Sequence, residues 1–167
     1  MGNGLESIGL VGLAIATFVV SSLVEYWLHR LMHRYPHKCQ FHVDHHLENT
    51  GQGVVGEFLD YGKVVVPVPA LLMILSWKLG LSVLAGASTY AIFAAYAHQL
   101  QHDNPTRCFW MPMPVHYVHH KHNQWHHNFG LGVDWWDRVF GTYKPEEWLT
   151  PAELSQPQRS LLHVRWW

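Results

Sequence analysis

The chain has 167 residues and a formal net charge of -1 with histidine neutral; 49% of its residues are hydrophobic and only 14% are charged. This length suits one compact domain, and the balanced charge offers no basic surface for nucleic acid. Soluble domains usually hold about 25% charged residues, so the composition favours a membrane setting. Cys39 and Cys108 form neither a disulfide framework nor a cysteine-based zinc pattern, which favours a reducing, cytoplasm-facing environment.

The first apolar run spans residues 8–23 and reaches 20 residues when it is extended to Trp27, with Glu25 as its one charge. About 20 helical residues cross a bilayer core. A secretory signal peptide is the alternative, but no basic residues precede the run and no small-residue cleavage site follows it. We therefore expect one membrane helix that continues to the break at Pro36.

The second apolar region covers residues 58–100 and is apolar on all sides along two arms. This pattern predicts a hairpin of two membrane helices rather than the buried hairpin of a soluble core. Lys78 and Gly80 mark the expected tight turn, and Pro67 and Pro69 should kink or shorten the first arm.

Arg30, Arg34 and Lys38 follow the first span, and the positive-inside rule places that end in the cytoplasm. The hairpin then returns the chain to the same side. The expected fold class is an all-α integral membrane protein with about three transmembrane helices and a cytoplasmic histidine-rich helical cap that holds a dimetal site. Residues 1–150 are expected to form this single membrane domain, and residues 151–167 a polar C-terminal tail.

Ten of the fifteen histidines fall into four groups with the order HxxxH, HxxHH, HxxxH, HxxHH. They are His29 and His33; His42, His45 and His46; His98 and His102; and His116, His119 and His120. Residues three or four apart share a helix face. About four to six ligands saturate one metal ion, so ten imidazoles suit two ions, and imidazole suits iron, zinc, copper and nickel.

Several other site types are disfavoured because the chain has no ExxH, HExxH, GxSxG or P-loop motif. The site should be histidine-only, with Glu25, Asp44 and Asp103 as candidates to orient the ligands, although capping or solvated roles suit them equally. A proton relay or pH sensor is another use of histidine. A non-enzymatic membrane metal-binding protein and a haem protein are further alternatives.

The segments HRLMH, HVDHH and HYVHH, followed by WDRVFGT at residues 136–142, resemble the fatty acid hydroxylase/sterol desaturase superfamily over residues 25–143. His98 and His102 match additional ligands of the fatty acid hydroxylase branch. The resemblance implies that all ten histidines hold two iron ions, with zinc possible in a purified or inactive form. It also implies that dioxygen is the co-substrate for hydroxylation or desaturation of a membrane lipid or fatty acyl chain.

The same resemblance implies a separate electron donor, such as a ferredoxin or cytochrome b5, because no donor domain is fused to the chain. It assigns no catalytic side chain beyond the metal ligands. The short chain leaves carotenoid ring hydroxylases as an alternative, although WDRVFGT favours the first branch. His122, His126 and His127 fall in a spacer and are expected to be supporting or surface groups; an HxxxHH ligand box is their alternative role.

Overall fold

In the computed structural model, which describes residues 2–155, 157 and 159–167, the regular structure is helical throughout the described chain. The helices are α1 (Gly2–Arg34), α2 (Gln40–Glu48), α3 (Val54–Val65), α4 (Pro67–Leu75), α5 (Trp77–Asp103), α6 (Val115–Lys121), α7 (Trp135–Val139) and α8 (Pro151–Leu154). The expected all-α fold class is therefore confirmed. Helix α1 also runs to the Pro36 break, as its sequence predicts.

Helices α1 and α5 are each long and apolar enough to cross a bilayer, and α3 with α4 would supply a third span if the bent pair is one crossing. The pair bends by 42°. The bend falls at Val66, directly before Pro67, because proline has no N–H to donate and its ring crowds the preceding turn. The kink expected from the sequence is confirmed.

Helices α1 and α5 pack in parallel. Near their starts, Lys78 Nζ lies 2.6 Å from Glu6 Oε1. Further along, a Cβ at Gly86 would overlap the carbonyl oxygen of Ala14, so the two backbones approach closely only because this position is glycine. The parallel arrangement brings the C-terminal ends of α1 and α5, which carry the first and third histidine groups, to the same end of the molecule.

The turn between α4 and α5 lies at Ser76, and its expected position at Lys78 and Gly80 was wrong. Ser76 is extended, with φ -160° and ψ 118°. Lys78 and Gly80 belong to the first turn of α5. Gly80 is needed for contact rather than for a turn, because a Cβ there would overlap Met73 and crowd the carbonyl oxygen of Pro69 in α4.

The chain after α5 covers the histidine-bearing end with short helices and loops. Its core includes Leu100, Met113 and Val118. The tail packs back onto the molecule, because the carbonyl groups of Arg165 and Trp166 accept hydrogen bonds from the first two N–H groups of α3, at 3.0 and 2.9 Å. Part of the segment expected to be a polar loop forms α8, which begins with a capping box.

Candidate metal centre

The ten histidines gather in two groups at the shared end of α1 and α5. We call the first group centre A, which comprises His29, His33, His42, His46 and His119. The second group, centre B, comprises His45, His98, His102, His116 and His120. The structure thus brings all ten predicted ligands together; that they bind metal stays a prediction.

In centre A four ring nitrogens surround the Nε2 atom of His33. The Nε2 atoms of His29, His42, His46 and His119 lie 3.2, 2.9, 3.2 and 3.0 Å from it. One Nε2 atom donates at most one hydrogen bond, so hydrogen bonding does not account for four such contacts. Ions such as zinc bind imidazole nitrogen at about 2.0–2.1 Å. Two ligand nitrogens that make a right angle at such an ion therefore lie about 3 Å apart. The donor set fits one metal ion.

Centre B repeats this arrangement. The ligating atoms of four of its histidines lie within 4.8 Å of one another. His102 Nε2 is 3.1 Å from His116 Nε2, and His98 Nε2 is 3.3 Å from His45 Nε2. Neither ring nitrogen of His120 has a hydrogen-bond partner, although both are buried. A buried polar atom without a partner costs about 1–3 kcal/mol, so this donor set also fits a metal ion.

Each HxxHH group divides its three histidines between the two centres, two in one centre and one in the other. Helix α2 places His42 and His46 in centre A but His45 in centre B. Helix α6 places His116 and His120 in centre B, whereas His119 contacts His33 in centre A. Residues four apart point in nearly the same direction, whereas the residue between them at i+3 is rotated by about 100° from its i+4 neighbour. Each short helix therefore serves both centres.

Backbone carbonyl groups hold two of the centre A rings in one tautomer. His29 Nδ1 lies 2.6 Å from the carbonyl oxygen of Phe129, and His119 Nδ1 lies 2.7 Å from that of His127. A carbonyl oxygen only accepts, so each Nδ1 carries the proton. Each Nε2 lone pair is then directed toward the centre.

The segment that supplies these carbonyl groups is held by Asp137. Its buried carboxylate accepts hydrogen bonds from the N–H groups of Phe129 and Gly130 at 2.8 and 2.7 Å. Burial raises the pKa of the Asp137 carboxyl, and these hydrogen bonds oppose that rise. Arg138, the next residue along the chain, turns outward and pairs with Asp134 at 2.7 Å. The WDRVFGT segment thus supports centre A indirectly, by holding the loop whose carbonyl groups contact the histidine rings.

Three acidic residues expected near the ligands make other contacts in the described chain. Glu25 accepts hydrogen bonds from the hydroxyl groups of Tyr61 and Tyr90 at 3.2 and 2.8 Å. Asp44 is exposed and accepts from Gln40, and Asp103 accepts from Gln99. Their sequence proximity to histidine did not bring them to a ligand.

Sequence reasoning missed Glu57. Its Oε1 atom lies 3.0 Å from His98 Nδ1, within ion-pair distance, although the ring is not aligned for a straight hydrogen bond. Glu57 precedes His98 by a long stretch of chain, and only the packing of α3 on α5 joins them. The one available signal was an acidic side chain in the first turn of a largely apolar helix.

The imidazoles on α2 and α6 are held neutral. Burial, reinforced by neighbouring imidazoles, lowers the pKa of His42 to about 2 and that of His46 to about 3. Burial also lowers the pKa of His45 and that of His119 to about 4. Neutral imidazole is the form that binds metal, so burial prepares these rings as ligands.

The three spacer histidines join neither centre through a ring nitrogen in the described chain. His122 and His126 are exposed, and His127 is half-buried. His127 contributes its carbonyl oxygen to His119, at 2.7 Å.

A cavity of about 710 Å³ reaches both centres from the side of α1, α2 and α3. His29 from centre A and His98 from centre B line it, together with apolar side chains that include Leu28, Met32 and Val64. A substrate in this cavity would lie beside both histidine centres.

These features define a helical protein with membrane-spanning character and two adjacent histidine centres. A family model described as fatty acid hydroxylase matches residues 14–142. Because the match covers most of the chain, the protein belongs to the fatty acid hydroxylase family, which is part of the fatty acid hydroxylase/sterol desaturase superfamily. Searches of curated proteins and of solved structures each found no significant match.

Proposed function

We propose that the protein binds two iron ions through its ten clustered histidines and catalyses oxygen-dependent hydroxylation, or desaturation, of a membrane lipid or fatty acyl chain. The observation that carries this proposal is the convergence of ten imidazoles on two points beside one cavity. Membership of the fatty acid hydroxylase family supports the reaction class.

Bound iron would supply the reductive activation of dioxygen, which redox-inactive zinc does not. In hydroxylation, one oxygen atom enters a C–H bond of the substrate, and the other leaves as water after two electrons and two protons are consumed. In desaturation, two hydrogen atoms leave the substrate, and together with two electrons and two protons they reduce both oxygen atoms to water. The electrons come from a separate one-electron donor protein of the ferredoxin or cytochrome b5 class.

The chain itself orients the donor atoms and shields them. The Phe129 and His127 carbonyl groups hold protons on the Nδ1 atoms of His29 and His119. Both rings are buried, as are those of His33 and His42, so most of centre A lies away from bulk water. Pre-oriented ligands and exclusion of water are the contributions expected of a protein whose metal performs the difficult chemistry.

The cavity supports an acyl substrate because apolar side chains lie beside the histidines. Leu28 on α1 and Val64 on α3 line it and remain 39% and 55% exposed, so they are available to lipid as well. A chain from the bilayer would pass between α1 and α3 to reach the centres. Apolar contacts contribute about 0.8 kcal/mol for each buried methylene.

The active end is proposed to face the cytoplasm. Arg30, Arg34 and Lys38 lie at the histidine-bearing end of α1, whereas Lys78 at the other end pairs with Glu6. This distribution follows the positive-inside rule.

A haem site is disfavoured by the geometry. The iron of haem leaves two axial positions for protein ligands. Each centre instead gathers five imidazoles around one point.

The proposal is tested by expressing the full chain, with a co-expressed ferredoxin and its reductase, in a host of known lipid composition, followed by lipid mass spectrometry. A gain of one oxygen indicates hydroxylation, and a loss of two hydrogens indicates desaturation. His33→Ala, which removes the ring at the middle of centre A, should abolish the new product. His126→Ala, a change at an exposed histidine, should retain it. Unchanged lipids with iron-loaded protein and an active donor system would contradict the proposal.

A further inference from the structure

Centre B has an acidic side chain directly behind one of its imidazoles. Glu57 Oε1 lies 3.0 Å from His98 Nδ1, and the two side chains are only 15% and 6% exposed. The other nitrogen of the same ring, Nε2, is 3.3 Å from His45 Nε2. The carboxylate and the interior of centre B therefore lie on opposite edges of one imidazole.

Centre A has no counterpart to this carboxylate among the described residues. Its supported rings donate to the carbonyl oxygens of Phe129 and His127. Asp137 acts one step further away, because its carboxylate holds the backbone N–H groups of Phe129 and Gly130 rather than a histidine ring. Within the described part of the chain, formal negative charge thus adjoins a ligand ring in centre B and not in centre A.

The position of Glu57 is set by contacts at the start of α3. Gly53, directly before the helix, donates its N–H to Gln99 Oε1 on α5 at 2.8 Å. The carbonyl groups of Arg165 and Trp166 occupy the first N–H groups of the helix. The Gly53 contact ties the start of α3 to α5 at Gln99, the residue next to His98, and the other two contacts tie it to the C-terminal segment. Glu57 is therefore presented to His98 by a fixed backbone.

We propose that Glu57 is a positioning residue that makes the two metal sites unequal, with centre B binding a divalent ion more tightly than it would with a neutral support. The inference rests on the proposed dimetal function. A carboxylate within ion-pair distance of Nδ1 favours the tautomer that carries its proton on Nδ1 and leaves the Nε2 lone pair for the ion. Its negative charge also attracts the bound cation across a buried region where screening is weak.

Asp60 offers a matched control on the same helix. It lies three residues after Glu57, slightly less than one helical turn, and is half-exposed. Its carboxylate accepts from Gln52 Nε2 at 2.7 Å and pairs with Lys63 at 2.5 Å. Asp60→Asn removes the same charge from the same helix without touching a histidine.

Trp125 provides a reporter for centre A. Its ring centroid lies 4.3 Å from that of His33 and 5.5 Å from that of His46. A paramagnetic Co²⁺ ion in centre A should therefore quench Trp125 fluorescence strongly. The quenching signal is the difference between the native chain and Trp125→Phe, since the other tryptophans contribute equally to both.

The experiment titrates the purified full chain in detergent with Co²⁺ and follows both bound metal and Trp125 quenching. The native chain should bind two ions. Glu57→Gln should weaken one site by about 10–100-fold, while the midpoint of Trp125 quenching stays within about twofold. Glu57→Asp, which keeps the charge on a shorter side chain, should recover part of the affinity. Asp60→Asn should titrate like the native chain.

The outcomes separate this inference from the proposed function. If the native chain binds two ions and Glu57→Gln binds both as tightly, Glu57 has no such role. A selective loss at the site that quenches Trp125 would also overturn it. If Glu57→Gln weakened both sites equally, its effect would be on folding rather than on one ligand, again against the inference. A native chain that binds fewer than two ions would contradict the dimetal site itself.

Discussion

Centres A and B hold equal numbers of imidazoles, but different parts of the protein support them. In centre A, two rings donate hydrogen bonds to backbone carbonyl groups of the loop that Asp137 holds. Centre B has the Glu57 carboxylate from α3 and the carbonyl oxygen of Thr50, which lies 3.0 Å from His45 Nδ1. Repeated ligand spacing in a sequence therefore does not imply repeated surroundings in the folded chain. The two centres can therefore differ in metal affinity although their ligands match.

The largest expected effect comes from separating α1, which carries His29 and His33 of centre A, from α5, which carries His98 and His102 of centre B. Gly86→Val would force a side chain against the Ala14 carbonyl group and push α1 away from α5. Overpacking of this kind costs about 1–3 kcal/mol or more, and both centres should lose metal together. Metal analysis checks this. Gly12→Ala is the control, because a Cβ at Gly12 meets nothing within 4 Å. Loss of only one ion in Gly86→Val would show that the centres do not share this support.

The next largest effect should be confined to one centre. It tests the assignment of His119 to centre A and of His45 to centre B. His119→Ala removes a ligand of centre A although its α6 neighbours belong to centre B, and His45→Ala does the reverse. Each variant should lose about one ion. His119→Ala should also abolish Co²⁺ quenching of Trp125, whereas His45→Ala should retain it.

The exposed His126 provides the control for the His119→Ala and His45→Ala variants, and His126→Ala should retain both ions. If His45→Ala abolished the Trp125 signal and His119→Ala kept it, the assignment of these two histidines would be refuted. Loss of metal in His126→Ala would instead favour the alternative HxxxHH box.

A smaller effect is expected from the support behind centre A. Asp137→Ala leaves the N–H groups of Phe129 and Gly130 without their acceptor in a buried loop. We expect the free energy of unfolding to fall by about 3 kcal/mol, and centre A to weaken more than centre B. Denaturant titration and the Co²⁺ titration measure the two effects. Asp134→Ala, which breaks a pair with the half-exposed Arg138, should cost less than about 1 kcal/mol. Equal weakening of both centres would mean that Asp137 does not support centre A selectively.

The smallest effect on metal affinity is expected from changing Trp125, the fluorescence reporter for centre A. Trp125→Phe should leave the affinity for both ions nearly unchanged, because Trp125 packs against His33 but supplies no ligand atom. It should remove the quenching that accompanies metal binding. Trp77→Phe is the control, since Trp77 begins α5 and lies about 31 Å along the helix from His98. Undiminished quenching in Trp125→Phe would show that another tryptophan reports the metal.

Local features of the fold were predictable where one segment decides them. Apolar length predicted α1 and α5, and Pro67 predicted the bend between α3 and α4. Gly80 was misread because glycine serves both turns and close helix contacts. The sequence does not show that Gly80 packs against Met73, which lies 7 residues earlier on the other side of the turn. Glu57 was missed for the same reason: its partner is remote in sequence.

By itself, the sequence determined the helices, the family and the identity of the clustered histidines, because helical periodicity and residue type are local properties. The tertiary structure alone decided how those histidines divide. His45 and His119 cross between the centres because α2 and α6 pack so that their i+3 positions face the opposite group. It also decided that Glu57, rather than Glu25, Asp44 or Asp103, adjoins a ligand ring. Contacts between distant segments depend on how whole helices pack, which residue spacing along one chain does not encode in readable form.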